Sequence, residues 1–328
     1  MIPNRVFFIY LGKDLPWGTG LAVLSARQVQ KPKETVLYIE NEVSGAGYDL
    51  IKNDSEILLR QIDVENLFSD LGDNGICHHL YKILKSPASK ANLLRLALLY
   101  KEGGVYLDTD TITVKPWDDL LQYKGFCGQE PLALPQSLLD FPRVKSANPF
   151  LYVAAGLRYA WSFLCANAPH GEQIFRLAED FFNLAVSNAV LASEPKNKLI
   201  KDAFAAINEM SKEEQLRRFR LGTRLLQQMT KNKTSENMKV LPPAYFFPVG
   251  PNVFRHIFNE GSAKRLNKIL LPQTRVVHWY NGIEKIYLHQ RFNQKWIEEN
   301  STTAFAELAR NVLAHTSVAS KTYSQLPF

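Results

Sequence analysis

The chain has little that would staple, anchor or disorder it. Cysteine is scarce: Cys77, Cys127 and Cys165 are odd in number and widely spaced. That pattern excludes a disulfide framework and a zinc cluster and fits a reducing cytosol. No apolar run reaches about 18 residues, so no transmembrane helix is expected. The first ten residues, Met-Ile-Pro-Asn-Arg-Val-Phe-Phe-Ile-Tyr, lack the layout of a signal peptide and read as an opening strand. No internal repeat is visible, and no basic, aromatic-interleaved motif of a nucleic-acid binder. Charge of one sign is also lacking. Lys and Arg number 39 against 32 Asp and Glu, a net +7, which leans mildly toward anionic partners such as nucleotides or acidic headgroups. At 328 residues, 46% hydrophobic and 22% charged, the chain can bury a full core.

What is present is an alternation of strand and helix patterns. Arg5 to Leu11 is a nearly continuous apolar run, as for a central parallel strand. A helix is predicted over Trp17 to Gln30, with strands at Glu34 to Ile39 and Ile57 to Gln61 and a helical or irregular stretch through Tyr81. Ala91 to Lys101 carries Leu93, Leu94, Leu96, Ala97, Leu98 and Tyr100 at helical spacing. Gly103-Gly104 stops it, because glycine adopts the left-handed backbone at little cost. Val105 to Leu107 then reads as a short buried strand, and Thr111 to Pro116 continues extended into a short helix at 116–120. The first half is thus α/β with a mostly parallel sheet.

The second half is less regular. A strand is predicted at Phe126 to Gly128 and a surface loop over Pro131 to Pro149. Two strands are expected at Phe150 to Gly156 and Ala160 to Cys165. A long amphipathic helix is expected over His170 to Ala189. Further helices are predicted at Lys196 to Arg220 and Leu221 to Met229. An extended segment over Lys239 to Pro251 and a strand over Thr274 to Trp279 follow, with helices near Lys285 to Glu299 and Thr303 to His315. In domain terms this is one unit over 1–328, with a helical insertion at about 190–235 and C-terminal helices over about 285–328.

The strand after Gly103-Gly104 ends in two carboxylates, Asp108 and Asp110, separated by Thr109. Residues two apart on an extended chain share a face, so both can converge on one cation. Oxygen ligands suit Mg²⁺ or Mn²⁺, and open α/β sheets bind ligands outside the carboxyl ends of their strands. The alternative is an exposed turn with two solvated aspartates.

The block Lys90 to Asp110 resembles the sugar-binding region of the DXD-containing glycosyltransferases, in particular glycosyltransferase family thirty-two. Four further segments resemble that family in its order: Ile2 to Gly12, Asn167 to Gly171, Leu241-Pro242 through Phe247-Pro248, and Val276-Val277-His278-Trp279. The likeness covers about residues 2–290 and is weakest over 186–235. It departs at Asn92, where the family has Asp, at Phe7, where it has His, and at Tyr10, where it has Trp.

The resemblance implies a GT-A-like fold, a mostly parallel twisted sheet flanked by helices. It implies a retaining, metal-dependent transfer from a nucleotide sugar, a UDP-sugar before a GDP-sugar, to a glycan or lipid-linked glycan. It implies Mn²⁺ or Mg²⁺ on Asp110, Asp108 and His278. Asp108, Asp110 and Arg95 are the implied catalytic set. Ile9, Tyr10, Leu11, Gly12, Asn92, Arg95, Tyr106, Asp108, Thr109 and Trp279 are the implied donor contacts, with the base stacked on Tyr10; core packing is the alternative for Tyr10 and for Tyr106. Asn92 and Arg95, three apart, share a helix face and could hold donor hydroxyls or phosphate; a surface Arg95 paired with Glu102 is the plainer alternative. Gln129 and Glu130 are placed toward the acceptor or near the anomeric carbon, and Trp279, Tyr280 and Asn281 as a lid. The implied setting is cytoplasmic, peripheral at the inner membrane face. Three other readings remain: an effector transferase that glycosylates a protein, a nucleotide-sugar-binding module, and a Mg-dependent phosphotransferase or hydrolase. A haloacid-type phosphatase is not among them, since Leu11-Gly12-Lys13-Asp14 lacks its nucleophile pattern.

Overall fold

The computed structural model describes residues 1–69, 71, 75–133, 149–217, 219–231, 236–281 and 292–323. Strands β1 (Arg5–Tyr10), β2 (Glu34–Ile39), β3 (Ile57–Gln61), β4 (Gly104–Leu107), β5 (Thr111–Thr113), β6 (Gly125–Leu132), β7 (Asn183–Ser193), β8 (Lys239–Leu241) and β9 (Val276–His278) alternate with helices. The helices are α1 (Trp17–Gln30), α2 (Ala46–Ile51), α3 (Val64–Ser69), α4 (Ile76–Ile83), α5 (Pro87–Lys101), α6 (Pro149–Asn167), α7 (Gly171–Leu177), α8 (Lys198–Glu209), α9 (Lys212–Gln215), α10 (Leu225–Lys231), α11 (Leu266–Ile269), α12 (Gln294–Glu299) and α13 (Ala304–Tyr323).

One sheet has the order β3-β2-β1-β4-β7-β6-β8. β1, β2, β3 and β4 run parallel, and β8 runs parallel to β6. β7 is antiparallel to both its neighbours, so it alone reverses direction in this sheet. β5 and β9 form a separate antiparallel pair. The mixed α/β architecture with a mostly parallel sheet is the one expected from the strand–helix alternation.

The alternation along β1 explains the layering. Val6 and Phe8 point into one core with Leu21 and Leu24 of α1; Phe7 and Ile9 point into the other with Leu93, Leu96 and Ala97 of α5. α5 is apolar nearly all round because it lies against the sheet on one side and α8 on the other, through Leu199, Ile200, Ala203 and Phe204. Residues 198–209, expected in a helical insertion, therefore close this core, and 190–193 of that span complete β7.

Two elements differ from expectation. Residues 150–156 and 160–165, read as strands for their Phe, Tyr, Val and Trp, belong to one helix, α6; no proline or turn signal interrupts 150–167. The helix expected over 170–189 stops at Leu177, and Asn183 to Ser193 is a central strand instead. Its alanines and leucines match helical spacing, but pairing with β4 and β6 decides the conformation. α5 begins four residues earlier than predicted, with Pro87 in its first turn, where a missing N–H costs nothing. The predicted loop over 131–149 and helix over 285–299 fall largely outside the described residues; α12 is the described end of the latter.

A partly buried ion cluster built on Arg5 ties β1 to β2, β3 and the turn before β4. Arg5, 7% exposed, binds Glu34 through Nε and reaches Glu102 at 2.7 Å and the Tyr38 hydroxyl at 2.5 Å through Nη2; Arg60 also binds Glu34. Burial alone would raise the Glu34 carboxyl, yet Arg5 and Arg60 hold it below the usual range. A depressed carboxylate stabilises the fold above its unfolded-state value, about 4.3, and that contribution fades as pH falls through the folded value. Glu34→Gln is expected to cost about 1–2 kcal/mol at pH 7. The gap from wild type should narrow in urea unfolding titrations as pH falls below the ordinary carboxylate range; a gap that does not narrow on acidification would remove this role.

Candidate functional site

The site is assembled where β4 leaves the sheet. Gly103 and Gly104 sit at φ +69° and +107°, so the helix-to-strand turn falls where glycine is the ready choice. β4 delivers Tyr106 and Leu107 into the two cores and then Asp108 onto the sheet edge. Its backbone N–H donates to the Ala189 carbonyl at 2.8 Å, and Thr111 Oγ1 donates to the Asp108 carbonyl at 2.8 Å, which closes the turn. β5 then pairs with β9 in the register Thr111 to His278. That pairing brings the C-terminal half of the chain to the two aspartates.

Asp108, Asp110 and His278 converge, each offering one ligand atom within 4.8 Å of the others. His278 Nε2 lies 3.1 Å from Asp110 Oδ1. Asp110 is fixed at three points: its carbonyl accepts from Trp279 N at 3.0 Å, its Oδ2 accepts from Asn281 N at 2.9 Å, and its Oδ1 faces the imidazole. Tyr280 takes φ +54°, a left-handed turn that a bulky residue seldom adopts, and this turn aims the Asn281 amide at Asp110.

The electrostatics are opposed by burial and decided by charge. Burial would lower the His278 pKa, but Asp110 foremost, with Asp108 and Glu130, holds it up at about 9. Burial would raise Asp110, but the facing imidazole and the Asn281 amide hold it below the usual carboxylate range. Glu130, half-buried on β6 among Ser187, Tyr280 and Asp108, is pushed up by burial against the pull of His278. Burial, then the nearby Glu130, also raises the Tyr280 phenol well above its ordinary value.

Behind Asp108 lies a brace. Arg95 Nη2 meets Asp108 Oδ1 at 3.2 Å, Nη1 donates to the Asn188 carbonyl, and the guanidinium lies 4.2 Å from the centre of the Tyr106 ring. The Tyr106 hydroxyl donates to Asp108 Oδ1 at 2.5 Å. Asn188 Nδ2 donates to Asn92 Oδ1 at 2.8 Å. Asn188 is available because β7 bulges: Cys127 pairs with Leu191 but Gly128 with Ser187, which leaves 188–190 without β6 partners. A Cβ on Gly222 would fall 2.6 Å from Asn188 Nδ2 and 2.9 Å from the Asn92 amide, so glycine there gives the network its room.

Asp108, Asp110 and His278, the expected metal set, are therefore brought together. Asn92 and Arg95 do share a helix face, but both turn inward onto Asn188 and Asp108. Glu102, the alternative partner for Arg95, binds Arg5. Two of the implied donor contacts lie in the core, which for Tyr106 was the alternative. Trp279 is 1% exposed, its ring packed on Phe292 and Phe305 and close to Gly18, so it belongs to the core and not to a lid. Tyr106 is 2% exposed beneath Arg95 and reaches the site only through Asp108.

The remaining expected residues line the same edge. Ile9 is buried on its side-chain face, Tyr10 and Leu11 are half-buried, and the Tyr10 hydroxyl donates to the Asp14 carbonyl. Phe7 pairs with Tyr106, so Tyr10 and Thr109 lie three residues beyond the same rung of two parallel strands. A Cβ on Gly12 would fall 2.6 Å from the Tyr10 hydroxyl. Asn188 carries no sequence signal of its own, because its stretch has a helical pattern.

Two families match the chain. One, described as a glycosyltransferase sugar-binding region containing a DXD motif, covers residues 23–126 and so includes Asp108 and Asp110. The other, an alpha 1,4-glycosyltransferase conserved region, covers 197–316 and includes His278. Glucan organizing enzyme 1 of Cryptococcus neoformans is 31% identical over 139 residues, 40% of this chain and 34% of that protein. Subversion of eukaryotic traffic protein A of Legionella pneumophila is 24% identical over 126 residues, 36% of this chain and 18% of that protein. The matches thus span about a third or less of these relatives' length. Among solved structures, the PaToxG glycosyltransferase overlays 70% of this chain and 68% of its own, at 16% identity and a TM-score of 0.42.

Proposed function

We propose that the chain is a glycosyltransferase of the DXD-motif kind and that it transfers a sugar, with retention of configuration, from a UDP-sugar to a glycan or lipid-linked glycan with the help of Mn²⁺ or Mg²⁺. The observation that carries this reading is the convergence of Asp108, Asp110 and His278 within 4.8 Å. Two carboxylates and an imidazole form a donor set that suits Mn²⁺ and admits Mg²⁺. The fit rests on this donor set, with His278 Nε2 turned toward Asp110. When bound, such a cation neutralises charge on a departing diphosphate.

The chain's own residues do the positioning. Asn281 N and Trp279 N hold Asp110 in one orientation, and Arg95 with Tyr106 does the same for Asp108. Preorganised carboxylates spare the reorganisation that would otherwise add to the barrier. Tyr10, on the same edge as Thr109, offers a ring for the base, with backbone groups of Ile9, Leu11 and Gly12 beside it. Retention and the choice of uridine rest on the resemblance to family thirty-two. A glycan acceptor is favoured over a protein by the likeness to the fungal glucan organizing enzyme.

Purified protein with a panel of UDP- and GDP-sugars and Mn²⁺ is expected to release nucleotide from one UDP-sugar. EDTA should stop the release and added Mn²⁺ restore it. Release from no donor in the panel would remove the donor reading; release indifferent to EDTA would remove the metal. Adding glycan and protein acceptors separately then distinguishes the two acceptor classes.

A further inference from the structure

α6 has a composition that a water-facing helix seldom has. Its sequence, Pro-Phe-Leu-Tyr-Val-Ala-Ala-Gly-Leu-Arg-Tyr-Ala-Trp-Ser-Phe-Leu-Cys-Ala-Asn, holds one charged residue, Arg158. It is fastened to the body along Ala155, Ser162 and Cys165, through a small cluster with Phe175, Phe182 and Val253. The opposite face is apolar and open: Val153 is 60% exposed, Leu157 58%, Phe163 72% and Leu164 60%. Successive residues turn by 100°, so these four and Ala160 fall on one outward side. Tyr159 borders it, and Leu177 of α7, next to α6, is 87% exposed. Helices apolar all round are ordinarily buried, and contiguous exposed apolar patches mark a docking surface.

We propose that this face of α6 docks on an anionic lipid bilayer, lying in the plane of the headgroup and acyl boundary. The charges favour that occupant. From Pro149 to Gly171 there is no acidic residue, the single charge is cationic, and the whole chain carries +7. Arg158 falls on the helix side of Ser162 and Cys165, where its Nε donates to the Phe181 carbonyl and its guanidinium lies 4.9 Å from the centre of the Phe181 ring, so no charge interrupts the apolar face. Tyr159 on the border of the apolar stripe is the side chain that interfaces favour, with an apolar body and a polar tip. No helix among the described residues is long and apolar enough to cross a membrane, and an interfacial helix does not need to be. None of the α6 residues named here hydrogen-bonds or pairs with Asp108, Asp110 or His278 among the described residues, so docking and catalysis are read in different assays.

Vesicle sedimentation with the full chain tests the proposal, using phosphatidylcholine alone and phosphatidylcholine with phosphatidylglycerol. The protein is expected to sediment with the anionic vesicles, less so at high salt. Leu157→Glu with Leu164→Glu should weaken partition by about tenfold or more, while nucleotide release in solution is unchanged. Val153→Gln with Phe163→Gln, which adds no charge, should weaken it in the same direction. Failure of wild type to sediment with either vesicle overturns the proposal, as does equal binding by both double variants. So does a concentration-dependent dimer in sedimentation velocity that the Glu pair dissociates, since a second copy would then own the face.

Discussion

Asp110→Ala is expected to lower glycosyl transfer by about a thousandfold or more, the several kcal/mol that a lost cation site removes from the stabilised transition state. Asp110 is the most constrained member of the site. It joins β5 to the segment after β9 through Trp279 N and Asn281 N, and it faces His278. The substitution therefore removes one carboxylate and leaves a buried imidazole and a buried amide without their acceptor. Some loss of stability, about 1–3 kcal/mol, should accompany the loss of transfer. Asp110→Asn separates the two effects. It retains an acceptor for the Asn281 amide but loses the charge, so its thermal unfolding should stay nearer wild type while transfer stays low. The measurement is nucleotide release at saturating donor over a Mn²⁺ titration, with Mn²⁺ binding followed by electron paramagnetic resonance. Wild-type transfer by Asp110→Ala at low Mn²⁺ would remove Asp110 from the metal site.

The parts of the site legible in the sequence are those fixed locally. Gly103-Gly104 after an apolar helix, then three buried residues and two carboxylates, is a pattern that short-range physics settles. Trp17 to Gln30, Glu34 to Ile39 and Ile57 to Gln61 form the expected elements because their flanking turns and periodicities agree. The errors fall where tertiary contacts decide. Asn183 to Ser193 has a helical pattern, yet the gap between β4 and β6 makes it a strand. Asn188 gains its place only through the bulge in that strand, which no spacing rule signals. Trp279 follows His278 on a short strand and looks equally suited to a site. Alternation sends one ring to the aspartates and the other into the Phe292 and Phe305 cluster. The direction of Arg95 was likewise invisible. Helical spacing put it on a face with Asn92, but whether that face met a ligand or the chain itself depended on β7.

Arg95→Met follows from that last point, and it distinguishes a donor contact from a brace. Arg95 is 5% exposed, with Asp108 at 3.2 Å, the Asn188 carbonyl on Nη1 and the Tyr106 ring beneath it. Methionine fills much of the volume but supplies no donor. Asp108 then keeps only the Tyr106 hydroxyl, and the Asn188 carbonyl is left short in a buried place. Breaking a buried pair from one side costs about 3–5 kcal/mol; Asp108 retains some contact with water, so about 3 kcal/mol is the expected loss in urea unfolding. A group that orients a ligand rather than binding substrate typically changes metal affinity by about 10–100-fold when removed. Arg95→Met is therefore expected to weaken Mn²⁺ by that factor and lower kcat. At saturating Mn²⁺ the donor KM should remain near wild type. Arg95→Lys should recover part of the stability but little of the orientation, because an ammonium cannot span Asp108 and Asn188 as a planar guanidinium does. A donor KM raised more than tenfold at saturating Mn²⁺, with Mn²⁺ affinity unchanged, would instead place Arg95 on the donor.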